Sequence, residues 1–253
     1  MVEYRTRTKR YLELWFDEIE PDGRFDVVVR HRAPQPSPSG ENEEFHSLHI
    51  DLTREPDDIF KGFARNTRAQ IRKCTESDNG LRYEFDRPTP ELAVEFEAYY
   101  NEFARSKGLA PVPHRRLRAY FESDSVVLAR ALEGTRTLVW HVNATAQPYV
   151  TLMYSASQFR SGDEEFKKLV GRANRRLHWE ELLHFKSAGF RTFDFGGWYA
   201  GSTDTARLAI NRFKEEFGGA KVLEFSSTEN RSLLAKTAAA VQRLRAGAAR
   251  SLR

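Results

Sequence analysis

The sequence predicts an α/β fold, a mixed central sheet with helices on both faces, and two observations carry that prediction. From Asn79 onward the chain reads as strand, helix, helix, three strands, helix, strand, helix, strand, so both element types share one core. The chain has 253 residues, 40% hydrophobic and 30% charged, which is enough length to bury a core and the composition of a globular protein.

Ahead of that succession, Tyr11 to Phe16 and Phe25 to Arg30 alternate as strands around the turn signal Pro21-Asp22-Gly23. Pro34 to Gly40, rich in proline and serine, cannot continue a strand and reads as a loop. Phe45 to Leu52 is a further strand. A helix is expected to begin near Thr53, with Thr53 as its cap and Asp57 and Asp58 at its positive end. Ile59, Phe60, Phe63 and Ile71 form its buried stripe, and Arg65, Arg68 and Arg72 share the opposite face.

The later elements follow from the same periodicities. Arg82 to Phe85 is a strand, Pro90 to Ser106 an amphipathic helix through Leu92, Phe96, Tyr99, Tyr100 and Phe103, and His114 to Phe121 a shorter helix. Val126 to Leu132, Thr137 to Asn143 and Tyr149 to Ser155 make a meander with turns at Glu133-Gly134-Thr135 and at 144–148. A helix from about Asp163 to Ser187, a strand Thr192 to Phe195, a helix from about Ala206 to Phe217 and a strand Lys221 to Phe225 complete the order. A terminal helix starts between Thr228 and Ser232, with Thr228, Asn230 or Ser232 as its cap.

Charge is distributed unevenly around a formal net of +4. Lys61, Arg65, Arg68, Arg72 and Lys73 follow one another with no acid between them, and the stretch from Arg231 to Arg253 is likewise basic without an acid. Such runs suit a polyanionic partner, and they equally suit a solvated helix face. A single cysteine, Cys74, excludes an internal disulfide and a cysteine metal cluster, and Cys74 reads as a small helix-end residue. The charged amino terminus lacks an apolar signal segment and no run is apolar enough to span a bilayer, so a cytoplasmic protein without integral membrane association is expected.

Several chemistries are set aside by their missing motifs. The chain has no G-x-S-x-G elbow, no Walker phosphate loop and no H-E-x-x-H helix. His46 and His49 fall on opposite sides of a strand, which argues against a metal site, and His178 and His184 read as structural residues beside an apolar helix. No metal and no cofactor are expected.

The segment from Lys186 to Gly219 concentrates the chemistry. A strand ends at Asp194-Phe195-Gly196-Gly197, where the glycines permit positive φ or a close backbone approach. A polar stretch follows, then a helix bearing Arg212, Phe213 and Lys214, closed by Gly218-Gly219. Lys214 suits neutralisation of a phosphate or of a tetrahedral oxyanion, or else it is a solvent-facing lysine paired with Glu215. Phe213 stacks on a base or fills the core. Asp194 orients an amine or caps the turn.

These residues resemble the Fem family of aminoacyl transferases, whose members show a D-x-x-G strand end and an R-F-K-x-x-F-G-G helix, here 194–197 and 212–219. Asn66 to Lys73 looks like the family's basic helix, and Leu177-His178-Trp179-Glu180 with Lys186 and Gly189 looks like the helix leading into the glycine strand. The element order also resembles the GNAT acyltransferase fold. The resemblance covers about residues 51–225, which implies a transferase domain over 51–253 with a basic terminal helix, preceded by a short β appendage over 1–50.

The resemblance implies an aminoacyltransferase that takes its donor from aminoacyl-tRNA and forms an amide on an amine of a peptide, natural-product or cell-wall-precursor acceptor. It gives Lys214 and Asp194 the catalytic roles, Arg65, Arg68, Arg72, Arg212 and Phe213 the donor and RNA contacts, and Gly196-Gly197 the turn. A competing reading is a GNAT acyltransferase using acyl-CoA, carried by Lys168-Leu169-Val170-Gly171-Arg172-Ala173, which looks like a degenerate pyrophosphate loop and equally like a plain helical stripe.

Overall fold

The computed structural model describes residues 1–77, 80–158 and 163–251, with side chains described apart from those of 75–77 and 245–251. In chain order the elements are β1 (Val2–Arg5), β2 (Arg10–Trp15), β3 (Val27–Ala33), β4 (Glu41–Asp51), α1 (Pro56–Lys61), α2 (Arg65–Ser77), β5 (Leu81–Asp86), α3 (Pro90–Lys107) and α4 (His114–Glu122). They continue as β6 (Val126–Glu133), β7 (Arg136–Ala146), β8 (Tyr149–Ser157), α5 (Glu164–Ser187), β9 (Thr192–Gly197), α6 (Thr205–Glu215), β10 (Ala220–Asn230) and α7 (Leu233–Ser251). Two compact units divide the chain: Met1–Phe45 with Leu223–Arg253, and His46–Val222.

In the first unit β2 pairs antiparallel with β1 and parallel with β3, and β3 pairs antiparallel with β10 from Phe225 to Asn230. Leu12, Leu14, Phe25 and Val28 form its buried cluster. Ser232 caps α7 by accepting from the Ala235 amide, while Thr228 and Asn230 lie within β10.

The second unit holds the mixed sheet. β4 and β9 pair antiparallel, β9 and β8 parallel, and β8, β7, β6 and β5 follow as an antiparallel meander. Alternation along β7 sends its side chains to two helical layers. His141 meets Glu181 of α5, while Trp140 packs edge-on against Phe96 of α3 with ring centroids 5.6 Å apart. Helices thus cover both faces, as the sequence predicts.

One expected helix is divided in two. Glu55 occupies the N-cap position of α1 in extended conformation with no side-chain cap bond, and the helix starts on Pro56, so Thr53 is not the cap; its hydroxyl donates to Asp51 instead. A proline has no amide proton to lose in a first turn, which favours this start. The helix then breaks at Gly62, and the Ala64 amide bonds the Glu216 carbonyl at 2.7 Å before α2 begins. A long-range hydrogen bond replaces the helical one there.

Candidate functional site

The segments singled out by sequence converge on Glu216, just past α6. Its Oε2 accepts from Thr67 Oγ1 at 2.7 Å and from Arg175 Nε and Nη2 at 3.1 and 2.9 Å. The first turn of α2, the middle of α5 and the end of α6 are thereby fixed to one carboxylate. Beneath it, Phe63 packs edge-on against Trp179 and Phe217 at 5.5 and 5.2 Å, so the same three segments also share an aromatic core.

β9 delivers the glycine turn beside this junction. Asp194 is fully buried, with Oδ1 accepting from Ser47 Oγ at 2.8 Å and the Gly196 amide at 2.6 Å, and Oδ2 from Thr151 Oγ1 at 2.7 Å. One carboxylate therefore joins β4, β8 and β9 and shapes the turn. Gly196 has φ +70°, and a Cβ there would stand 2.9 Å from the Leu152 carbonyl oxygen. Both conformation and space exclude a side chain. The Gly197 carbonyl then accepts from Lys214 Nζ at 2.6 Å.

The intervening loop is held to α6 rather than left open. Buried Asn211 accepts from the Tyr199 amide at 2.9 Å and donates to the Tyr199 carbonyl at 2.7 Å. Asp204 caps α6 by accepting from the Arg207 amide. At the other end Gly218 and Gly219, with φ +73° and +91°, lie close against Gly62 and His49, where a Cβ would meet a carbonyl oxygen at 2.9 and 2.6 Å.

The cations distribute as follows. Lys214 is half-buried at the turn, Arg212 is exposed one turn-face away, and Phe213 is half-buried with the Arg175 guanidinium 5.0 Å from its ring centre. Arg65 and Arg72 are exposed on α2, Arg72 lying 5.5 Å from the Phe60 ring centre. Arg68 turns back on α1, donating to the carbonyls of Lys61 and Phe63. In the basic tail, Arg231 pairs with Glu20 and Glu229, and Arg243 with Glu41 at 2.7 Å. The side chains of Arg245, Arg250 and Arg253 lie outside the described residues.

Sequence reasoning passed over a polar cluster buried between β7 and α5. Glu181 faces His141 Nδ1 at 3.0 Å and His178 Nδ1 at 2.9 Å, and accepts from Asn143 Nδ2 at 2.7 Å; His141 Nε2 lies 3.1 Å from Asn174 Oδ1. Burial, then the neighbouring His141 ring, pushes His178 down to about 4, and the Lys214 ammonium adds to that push. Burial alone would raise the Glu181 carboxyl, but the two imidazoles beside it hold it below the usual range. The available sequence signal was polar residues at i and i+2 in the apolar run Leu138 to Ala144, opposite His178 and Glu181 at i and i+3 on one helix face.

The degenerate pyrophosphate loop is not a loop. Lys168 to Ala173 lies within α5, whose cap is Asp163, and Val170 and Ala173 are buried in its core stripe. Amides inside a helix are already bonded to carbonyls and cannot cradle phosphates. His184 stacks on Phe85 with ring centroids 4.1 Å apart, and Cys74 Sγ lies 3.1 Å from the Tyr83 hydroxyl, so both are packing residues.

No protein-family model matches the sequence, and no curated protein is matched by it. Solved structures do share the fold. FemX superposes with a TM-score of 0.56 at 13% identity, over 72% of this chain and 61% of that one. L-PGS from Bacillus licheniformis gives 0.51 at 13%, over 93% and 82%. The carboxyl-terminal domain of a putative lysylphosphatidylglycerol synthetase from Agrobacterium fabrum gives 0.50 at 11%, over 83% and 70%. This chain therefore shares the mixed α/β fold of these structures. The chain spans about three fifths of the FemX length.

Proposed function

We propose that this chain is a Fem-like aminoacyltransferase that moves an aminoacyl group from aminoacyl-tRNA to an amine on a peptide, natural-product or cell-wall-precursor acceptor. The observation that carries the proposal is the Glu216 junction, which joins the basic helix α2 to the helix that holds Lys214 against the Gly197 carbonyl. FemX and the lysylphosphatidylglycerol synthetase domain carry the same fold, which favours acyl transfer as the reaction class. The helical placement of residues 168–173 removes the sequence feature that favoured acyl-CoA.

An aminoacyl ester is already activated, so the chain needs only to align the amine and stabilise the tetrahedral oxyanion. The amide C–N bond forms as the ester C–O bond breaks, and the proton lost by the amine leaves on the released ribose hydroxyl. Lys214 is given the oxyanion, because its ammonium is fixed at the strand end by Gly197. Asp194 acts as a positioning residue through the Gly196 amide it holds. Arg65 and Arg72 meet the RNA backbone, Arg68 adds charge while bracing α1, and Arg212 and Phe213 meet the acylated end. A charged-tRNA donor places the reaction in the cytoplasm, and among the described residues no helix is long and apolar enough to cross a membrane.

The test compares donors directly. Bulk charged tRNA is expected to bind with an affinity that falls steeply with salt, since each neutralised phosphate releases counterions, and acetyl-CoA is expected to leave the melting temperature unchanged. Stabilisation by acetyl-CoA without tRNA binding would replace this reading with the acyl-CoA one.

A further inference from the structure

The buried cluster between β7 and α5 has the composition of a metal centre. His141 and Asn143 stand two apart on β7 and face one side of the sheet, and His178 and Glu181 stand three apart on α5 and face them. His141, His178 and Glu181 are 0%, 2% and 0% exposed, and one ligand atom from each lies within 4.8 Å of the others. All three residues lie in the second unit.

Asn174 Oδ1, an acceptor, faces His141 Nε2 at 3.1 Å, so that nitrogen carries the proton. His141 Nδ1 is then a lone pair aimed at the Glu181 carboxylate 3.0 Å away, unless the ring holds a second proton. Asn143 donates its Nδ2 to the same carboxylate at 2.7 Å, and its Oδ1 is buried with no hydrogen-bond partner. A histidine lone pair facing a carboxylate, with an unpartnered buried amide oxygen on a residue bonded to that carboxylate, is what a bound cation resolves. An acceptor on the far ring nitrogen is also the usual outer partner of a metal-ligating histidine.

We propose that His141 Nδ1, His178 Nδ1, the Glu181 carboxylate and Asn143 Oδ1 bind a divalent transition metal of the zinc type as a structural ion joining β7 to α5. Two imidazoles and two oxygens suit zinc, and the ligands of a tetrahedral zinc at about 2.0–2.2 Å stand roughly 3.3 Å apart. The observed nitrogen–oxygen separations of 2.9 and 3.0 Å need to open by a few tenths of an ångström, and the Asn143 amide must turn so that Oδ1 rather than Nδ2 faces the ion. Full burial leaves no open coordination position for a substrate, which makes the ion structural rather than catalytic. It would fix His178, which packs under Phe213 and Phe217 beside the proposed transfer site.

The experiment uses the full chain purified without chelator or a histidine tag. Elemental analysis is expected to find stoichiometric zinc; stripping it with a strong chelator should lower the melting temperature, and zinc chloride should restore it. Cobalt(II) added to the stripped protein should give the intense visible bands of a tetrahedral site. Asn174→Ala, at a half-buried position outside the ligand set, should fold and weaken metal affinity by about 10–100-fold. A chain that purifies without metal, whose melting temperature ignores zinc and chelator and which gives no cobalt spectrum, would overturn the proposal and leave His141 and Glu181 as a buried hydrogen-bonded pair. These readouts need no substrate, so they stand or fall apart from the transfer reaction.

Discussion

Replacing Lys214 with methionine separates a role in chemistry from a role in packing. The side-chain stem is kept and the cation is removed, so the Gly197 carbonyl loses its 2.6 Å donor. Because Lys214 is only half-buried, water can take over part of that hydrogen bond, and the loss of stability should be about 1 kcal/mol. In a chain of this length that lowers the melting temperature by about 2–4 °C. Loss of one oxyanion donor costs on the order of 100- to 1000-fold in turnover, about 3–4 kcal/mol of transition-state stabilisation. The catalytic effect is thus roughly threefold the structural one in free energy. The assay is amide formation from bulk charged tRNA and a panel of amines, read as kcat and KM beside a thermal melt. A fall in kcat with an intact fold is expected. If turnover recovers at saturating donor, Lys214 anchors a phosphate instead. If both constants are unchanged, Lys214 lies outside the site and the link from this helix to acyl transfer is broken.

Gly196→Ala places a Cβ in left-handed conformation 2.9 Å from the Leu152 carbonyl oxygen, and is expected to cost about 2–4 kcal/mol in denaturant unfolding at constant m-value; a loss under 1 kcal/mol would mean that β9 shifts freely. Arg65→Gln with Arg72→Gln is expected to reduce the salt slope of tRNA binding by about two charges while the fold stays intact. Arg68 is left in place, since its bonds to the Lys61 and Phe63 carbonyls would mix a stability effect into the readout. An unchanged slope would assign this helix to solvent.

Much of the second unit was legible because its signals are local. The amphipathic stripes of α3 and α5, the alternation of β6 to β8 and the glycines closing α6 each act within a few residues, and each appears where periodicity put it. The cap at Ser232 is of the same kind. Where a distant partner competed, local reading failed. The helix expected from Thr53 through the arginines breaks because Ala64 bonds Glu216, far along the chain.

The site shows the same division. Sequence by itself determined that a glycine strand end, an Arg-Phe-Lys helix and a basic helix exist, since each is written in consecutive residues. Only the tertiary structure decided that Glu216 joins the two helices and that Lys214 meets the Gly197 carbonyl. It also decided that His141 and Asn143 share a carboxylate with His178, about 40 residues away. The physical reason is that burial turns polar side chains toward whichever partner the packing of strands and helices brings within hydrogen-bond reach, and that partner's distance along the chain leaves no mark in the local pattern.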